Sequence, residues 1–321
     1  MHPTSHPMKA FELLGTAGIE DLHLTQLPLP TPAAGEVLVK VRALSLNPAD
    51  VKTAHGHGIY NALKDAQPLI LGWDISGEVV AAGSELLDFM PGDEVFGLVN
   101  FPGHGRAYAE YVAVPARHLA HKSATISHAE AAATPLAGLA AWQALVTNAR
   151  LQAGQRVLIH GAAGGVGHFA VQLAKELGAY VIGTSSAAKR VFVLSLGADA
   201  HVDYTQQRFE DVVPPVDVVL DTIGGDTTRR SLAVLKPGGT LISLPIGLSP
   251  DLLEAARARQ VHGQHFLVVS NGDDMHQLAT RLAAGTLYAH VSRTFPFERL
   301  PDALRQVEGG HTQGKISVLL D

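Results

Sequence analysis

Cysteine is absent from the chain. That excludes disulfides, thiolate catalysis and cysteine-ligated zinc. Long apolar runs are missing too. The most apolar stretch, residues 131–142, is too short to span a bilayer and is interrupted by Pro135 and Gly138. Neither sign of charge dominates: 24 Lys and Arg stand against 30 Asp and Glu, a formal charge of −6. Mild, evenly spread acidity gives no reason to expect nucleic acid or an anionic membrane as partner. The first seven residues carry two histidines and two prolines but no apolar centre of the signal-peptide kind. They are expected to be an extension ahead of a folded, cytoplasmic protein that opens at Met8. No internal repeat or low-complexity linker is present.

What is there suits a globular enzyme. The 321 residues are 46% hydrophobic and 17% charged, enough for two domains with sizeable cores. The first part is β-rich. Residues 36–44, 75–81 and 94–99 are predicted strands, separated by turn signals such as Pro91-Gly92-Asp93 and Pro102-Gly103. No long helix is predicted before about Ser127. Strands then alternate with helices. Residues 156–160 form an apolar strand, and Val166, Phe169, Leu173 and Leu177 recur at helical spacing before Gly178. Strands at 180–184, 202–204, 216–220, 240–244 and 266–269, with helices at 187–196 and 274–284, continue the series. Near-continuous apolar strands joined by helices predict a buried parallel sheet. Residues 315–320 form a last strand.

The strand ending at His160 runs into Gly161-Ala162-Ala163-Gly164-Gly165-Val166-Gly167 and then into a helix. Glycines let a backbone turn tightly and approach a pyrophosphate, and a helix N-terminus presents free N–H groups to it. A tight linking turn is the bland alternative. The strand–turn–helix context inside a repeating βα pattern favours a dinucleotide site. An NAD site usually places an acid at the end of the second strand to bond the ribose 2′-OH. Here Thr184-Ser185-Ser186 stands there, followed by Lys189 and Arg190. Hydroxyls and a cation suit a 2′-phosphate, so the expected cofactor is NADPH, held by Ser185, Ser186 and Lys189. Arg190 also fits a solvated helix face. The turn Asp221-Thr222-Ile223-Gly224-Gly225 lies at the carboxyl edge of the fourth strand, where Thr222 and Ile223 are expected to meet ribose. Leu244-Pro245-Ile246 closes the fifth strand similarly. His55-Gly56-His57 reads as a loop pair and not as metal ligands.

Taken together, the motifs resemble the medium-chain dehydrogenase/reductase superfamily, in its zinc-free quinone oxidoreductase branch. The matching pieces run from Ala43-Leu44-Ser45-Leu46-Asn47-Pro48-Ala49-Asp50 through Leu71-Gly72-Trp73-Asp74-Ile75-Ser76-Gly77-Glu78-Val79 and Gly92-Asp93-Glu94-Val95-Phe96-Gly97. They continue in Gly105-Arg106-Ala107-Tyr108-Ala109-Glu110-Tyr111 and the glycine-rich turn. The resemblance implies an α/β protein: a GroES-like, mostly β domain, residues 1–128 completed by 289–321, and a Rossmann, doubly wound parallel-sheet domain, residues 129–288. It implies that Asn47 and Tyr60 line the substrate cleft, where either one hydrogen-bonds a substrate oxygen. As a preproline residue Asn47 also suits a simple turn, and Tyr60 a loop cap. Tyr204 is implied at the 2′-phosphate, against simple edge packing. Phe266 and Val268 are implied as backbone contacts of the nicotinamide carboxamide, and Lys315 as a C-terminal cofactor contact, against an ordinary surface lysine. Zinc-dependent relatives take ligands from a Cys near the Asn47 position and from Gly-His-Glu. This chain has Asn47 and Gly72-Trp73-Asp74, so no metal is expected. The implied activity is NADPH-dependent hydride transfer to a small electron acceptor, a quinone or an α,β-unsaturated carbonyl. An enoyl-thioester reductase and a non-catalytic NADPH-binding redox sensor are the alternatives. The resemblance also implies a homodimer joined through the apolar strand 266–269 at the edge of the Rossmann sheet, against the alternative that a loop or helix such as residues 251–259 covers that edge within one subunit.

Overall fold

The computed structural model describes residues 7–84, 88–245 and 247–321. The expected N-terminal extension, apart from Pro7, and Ile246 lie outside the described residues. The chain divides into two compact units, residues 1–139 with 268–321, and residues 140–267. The expected boundaries at 128/129 and 288/289 thus stand against divisions at 139/140 and 267/268. The segment after 267 returns to the first unit early. Phe101 N donates to Ser270 Oγ at 2.8 Å and Ser270 N to Phe101 O at 3.1 Å, and the helix Gly272–Ala284 follows directly.

In the first unit β1 (Met8–Leu13) and β2 (Leu22–Leu27) form an antiparallel pair. The main sheet comprises β3 (Glu36–Ser45), β4 (Asp74–Ala82), β5 (Glu94–Leu98), β6 (Tyr111–Pro115) and β7 (Leu119–His121). In the second unit β8 (Arg156–Ile159), β9 (Tyr180–Ser185), β10 (Ala200–Asp203), β11 (Val216–Asp221), β12 (Leu235–Ser243) and β13 (His262–His265) form a parallel sheet. The chain then returns to the first sheet with β14 (Val291–Pro296) and β15 (Lys315–Leu319). That mixed sheet has the order β14-β15-β3-β4-β5-β7, with β6 also on β3. Lys315 is thereby carried to the strand beside β3, which ends at Ser45, just before Asn47.

The second sheet has the order β10-β9-β8-β11-β12-β13. This is the doubly wound order, whose reversal lies between β8 and β11. Val157, Leu158 and Ile159 on β8 and Val218, Val219 and Leu220 on β11 are all buried. That explains their unbroken apolar sequence: a central parallel strand is covered on both faces. The expected helix over 187–196 begins as a 3-10 turn, Ala187–Lys189, and becomes α-helical at Arg190–Ser195.

One expected strand is displaced. The last strand of the parallel sheet is His262–His265, not 266–269. Its ladder on β12 runs from Thr240↔His262 to Ser243↔His265, and Phe266 N closes it on Ser243 O at 3.0 Å. An edge strand is covered on one side only and needs no apolar run; polar residues there also discourage stray pairing. The apolar residues 266–269 follow the strand, with Val268 buried and Leu267 and Val269 exposed. Among the described residues no helix is long and apolar enough to cross a membrane.

Candidate functional site

Both units carry a functional constellation at the positions singled out by sequence. In the parallel-sheet unit, β8 ends at Ile159 and the chain turns through Gly161, whose φ is 65°. Gly164 N closes the turn on Gly161 O at 2.8 Å, and Gly164 caps the helix Gly165–Glu176. Gly167 explains the tight approach of helix and turn. A Cβ there would sit 2.1 Å from Gly161 O and 2.7 Å from Ala162 Cα, which backbone cannot yield. The first-turn N–H groups of this helix therefore face outward at the carboxyl end of β8, a place suited to a pyrophosphate. Ala162 and Ala163 in the turn are buried, and Ala162 N bonds Thr184 O at 3.0 Å. Gly165 and Val166 open the helix.

Across the reversal point, Thr222 Oγ1 donates to His160 O at 2.7 Å and ties the β11 turn to the β8 end. Asp221 shapes that turn from a buried position. Its Oδ1 accepts from Ile223 N at 2.8 Å and Gly224 N at 3.0 Å, and its Oδ2 accepts from the Thr228 hydroxyl. Ile223 is left exposed, and Leu244 N donates to Asp221 O at 3.0 Å. Thr222, Ile223 and Leu244 thus lie at adjacent carboxyl ends of β11 and β12. Phe266 follows one strand further along.

The end of β9 gathers the residues expected at a 2′-phosphate. Ser185 is its last residue and is buried; Ser186 and Lys189 follow half-buried, and Arg190 is exposed. Burial pulls the Lys189 ammonium below the ordinary lysine range. Tyr204 donates its backbone N–H to Ser185 O at 3.3 Å, and the residue is 61% exposed. Two residues here were not singled out from the sequence. His201 on β10 contacts Ser185 Oγ through Nε2 at 2.8 Å. Asp203, paired in register with Ser185, lies beside the same strand end. Its Oδ1 accepts from Thr205 N at 3.0 Å and Thr205 Oγ1 at 2.8 Å, contacts that lower its pKa.

The first unit holds a buried polar cluster around Asn47. Asn47 is 2% exposed, and its amide is committed at both ends. Nδ2 donates to Asp74 Oδ2 at 2.8 Å, and Oδ1 accepts from Lys315 Nζ at 2.5 Å. Lys315 is 3% exposed, so it is not the ordinary surface lysine that competed with a site role. It also donates to Leu46 O at 2.7 Å and lies 3.5 Å from Asp74 Oδ2. The second Asp74 oxygen accepts from Leu136 N at 2.7 Å, at the start of the helix Pro135–Trp142. Asp50 Oδ2 accepts from Asn47 N at 2.7 Å. Its other oxygen and the Tyr108 hydroxyl are buried without a formed hydrogen bond. Burial pushes Asp74 up and Lys315 down. It pushes Asp50 up to about 7 and Tyr108 well above the phenol range. Below about pH 7 Asp50 is largely protonated, and Lys315 and Asp74 are the opposed pair of the pocket.

Gly72 makes the cluster possible. With φ at 87° it admits the Tyr108 ring, which a Cβ would meet at 2.3 Å. Trp73 is fully buried, packs edge-on against Phe101 at 5.3 Å and donates Nε1–H to Gly103 O at 2.7 Å. Tyr60 opens the short helix Tyr60–Leu63 and is half-buried. Val268 is buried in the same unit.

Two family descriptions match the chain: the alcohol dehydrogenase GroES-like domain over residues 33–124, and the zinc-binding dehydrogenase description over residues 196–318. An NADPH-dependent alkenal/one oxidoreductase of Arabidopsis thaliana chloroplasts is 35% identical, covering 97% of this chain and 79% of the relative. A 2-methylene-furan-3-one reductase of Solanum lycopersicum is 33% identical over the same shares, 97% and 79%. The solved structure of the quinone oxidoreductase from Coxiella burnetii superposes with a TM-score of 0.93 at 36% identity, covering 98% of this chain and 100% of that one. With a GroES-like sheet, a doubly wound parallel sheet and full-length relatives of this kind, the chain belongs to the medium-chain dehydrogenase/reductase superfamily, in its quinone oxidoreductase branch.

Proposed function

We infer that this protein transfers hydride from NADPH to a quinone or an α,β-unsaturated carbonyl without a catalytic metal. The observation that carries the reading is the glycine-built helix N-terminus at the reversal point of the parallel sheet, flanked by a β9 end bearing hydroxyls and a lysine in place of an acid. The relatives named above, an alkenal/one oxidoreductase, a furanone reductase and a quinone oxidoreductase, support the acceptor class. Residues Gly161, Ala162, Ala163, Gly164, Gly165 and Val166 would hold the pyrophosphate. Ser185, Ser186, Lys189 and Tyr204 would hold the 2′-phosphate, and Thr222, Ile223 and Leu244 the ribose, with Phe266 toward the carboxamide. The bound cofactor supplies the hydride. The protein supplies orientation and electrostatics. Asn47 retains one amide N–H beyond the bond to Asp74, a donor for a substrate oxygen that gains negative charge.

Purified protein supplied with NADPH should consume it in the presence of simple quinones and enones, and more slowly with enoyl thioesters. Prior treatment with a strong chelator should leave the rate unchanged, because Asn47 and Trp73 replace the zinc ligands. Loss of turnover on chelation, restored by zinc, refutes the metal-free reading. The cofactor preference has its own check. Lys189→Ala should weaken NADPH by about tenfold or more, the loss expected for one charge-assisted phosphate contact, and change NADH by less than about twofold. Equal losses for both dinucleotides would place Lys189 away from the 2′-phosphate. Two copies paired through the β13 edge form part of the same proposal, since an edge strand leaves one row of backbone groups open to a symmetric partner.

A further inference from the structure

We propose that His201 is a specificity-determining residue for the 2′-phosphate, acting through Ser185. The proposal rests on the NADPH reading above and adds to it a residue outside the strand–turn–helix motif.

The argument begins with proton bookkeeping at Ser185. A serine hydroxyl has one proton and two lone pairs. Ser185 Oγ donates that proton to Ser186 O at 3.1 Å. The 2.8 Å contact to His201 is assigned the opposite direction, as the tautomer with Nε2–H donating to Ser185 Oγ. His201 thus occupies a lone pair and leaves the hydroxyl proton as the mobile element. A phosphate arriving at the β9 end offers a far stronger acceptor than a neutral carbonyl. The hydroxyl proton turns to it while Nε2–H stays in place. The resulting chain, imidazole to hydroxyl to phosphate, has every donor aimed at the anion. Without the imidazole, Ser185 is a free rotor whose proton is satisfied by its neighbour's carbonyl.

The backbone makes this geometry rigid. His201 and Ser185 sit on paired parallel strands, with His201↔Gly183 and Asp203↔Ser185 in register. Ser185 is buried, and His201 half-buried. The charged groups facing His201 are Arg190, which lowers its pKa after the larger effect of burial, and Asp203, which raises it. Lys189 is half-buried on the turn after Ser186. Asp203 Oδ1 is held by Thr205, and the carboxylate stands on β10, not at the β9 end where an NAD-selective acid stands. The imidazole is mostly neutral in the absence of ligand. A doubly charged phosphate nearby favours its protonation, so NADPH binding should take up a proton that NADH binding does not.

The test uses the full-length protein with NADPH and NADH as probes, their dissociation constants measured by fluorescence at about pH 6 and about pH 8. His201→Ala should lower the NADPH-to-NADH preference by about tenfold at the higher pH and by more at the lower, with NADH affinity nearly unchanged. His201→Gln keeps a neutral N–H donor, so it should restore most of the preference at the higher pH. It should fail to reproduce the gain shown by the native protein over His201→Ala at the lower pH. In a Ser185→Ala background, His201→Ala should have almost no further effect. Melting temperatures of all variants check that each is folded. An unchanged preference in His201→Ala, alongside a reduced one in Ser185→Ala, overturns the role of His201 and leaves the NADPH reading standing. An unchanged preference in Ser185→Ala and Lys189→Ala as well removes the NADPH reading, and the His201 proposal with it.

Discussion

Lys315→Met should lower the unfolding free energy by about 3–5 kcal/mol at about pH 8, the penalty for leaving a buried charge without its partner. Lys315 brings the only cation to a pocket that holds Asp74 and Asp50, as far as the described residues show. Methionine fills a similar volume but returns nothing to Asp74, to Asn47 Oδ1 or to Leu46 O. Asp74 keeps two donors, Asn47 Nδ2 and Leu136 N. Those two bonds do not replace a full charge. The sign with pH follows from the carboxylate. Asp74 is already raised, and loss of the ammonium raises it further. A raised carboxylate contributes stability at low pH and loses it as pH rises through its folded pKa. The defect in Lys315→Met should therefore shrink on acidification, and a second change, Asp74→Asn, should recover much of it at high pH. Urea unfolding of the four proteins across pH measures the cycle. A loss below about 1 kcal/mol at every pH would mean that the ion pair is not what holds β15 against the Asn47 segment.

Asp50→Asn should act in the opposite direction, stabilising the protein at about pH 8 by roughly 2–4 kcal/mol. Burial raises Asp50 from 3.8 to about 7. An unfolded chain ionises at the ordinary value, so the native state loses stability progressively between the two pKa values. The loss is complete above the folded one. That gap corresponds to about 4 kcal/mol. Asparagine has no such penalty. Its carbonyl can accept from Asn47 N in place of Oδ2, and its amide can donate to the Tyr108 hydroxyl, which has no formed bond in the native protein. The benefit should shrink as pH falls and vanish at about pH 3 and below, where Asp50 is protonated in the unfolded chain as well. Thermal unfolding at the two pH values would show it. Destabilisation at high pH would mean that the Asp50 carboxylate is needed there as a charge.

These two predictions concern a cluster that sequence reading reached only in part, for a physical reason. The glycine-rich turn was legible because its signal is local: glycines at fixed offsets, a strand before, a helix after. The central strands were legible because burial on both faces forces continuous apolar sequence, as in Val157-Leu158-Ile159. The edge strand His262–His265 was not, because one covered side makes no such demand. Nor was β14, Val291–Pro296, which is largely exposed along its length. The polar cluster was half visible. Asn47 and Lys315 entered through resemblance, each with a bland alternative. Asp74 entered only as a residue that is not a glutamate after histidine. That an ammonium from β15 meets the end of β3 and the start of β4 depends on strand order, and no local pattern encodes it. His201 was hidden in the same way: its partner Ser185 lies on the neighbouring strand.

Hydride transfer itself is the point on which the functional reading turns. NADPH carrying deuterium at both positions of the reactive nicotinamide carbon, mixed with enzyme and a simple enone in a single turnover, tests it directly. The predicted result is one deuterium on the β-carbon of the saturated ketone for each NADPH oxidised, with the same yield after chelation. Tight binding of NADPH with no oxidation of it by any quinone and no label in any enone or enoyl-thioester product would contradict it, and would make the protein an NADPH-binding sensor in place of a reductase.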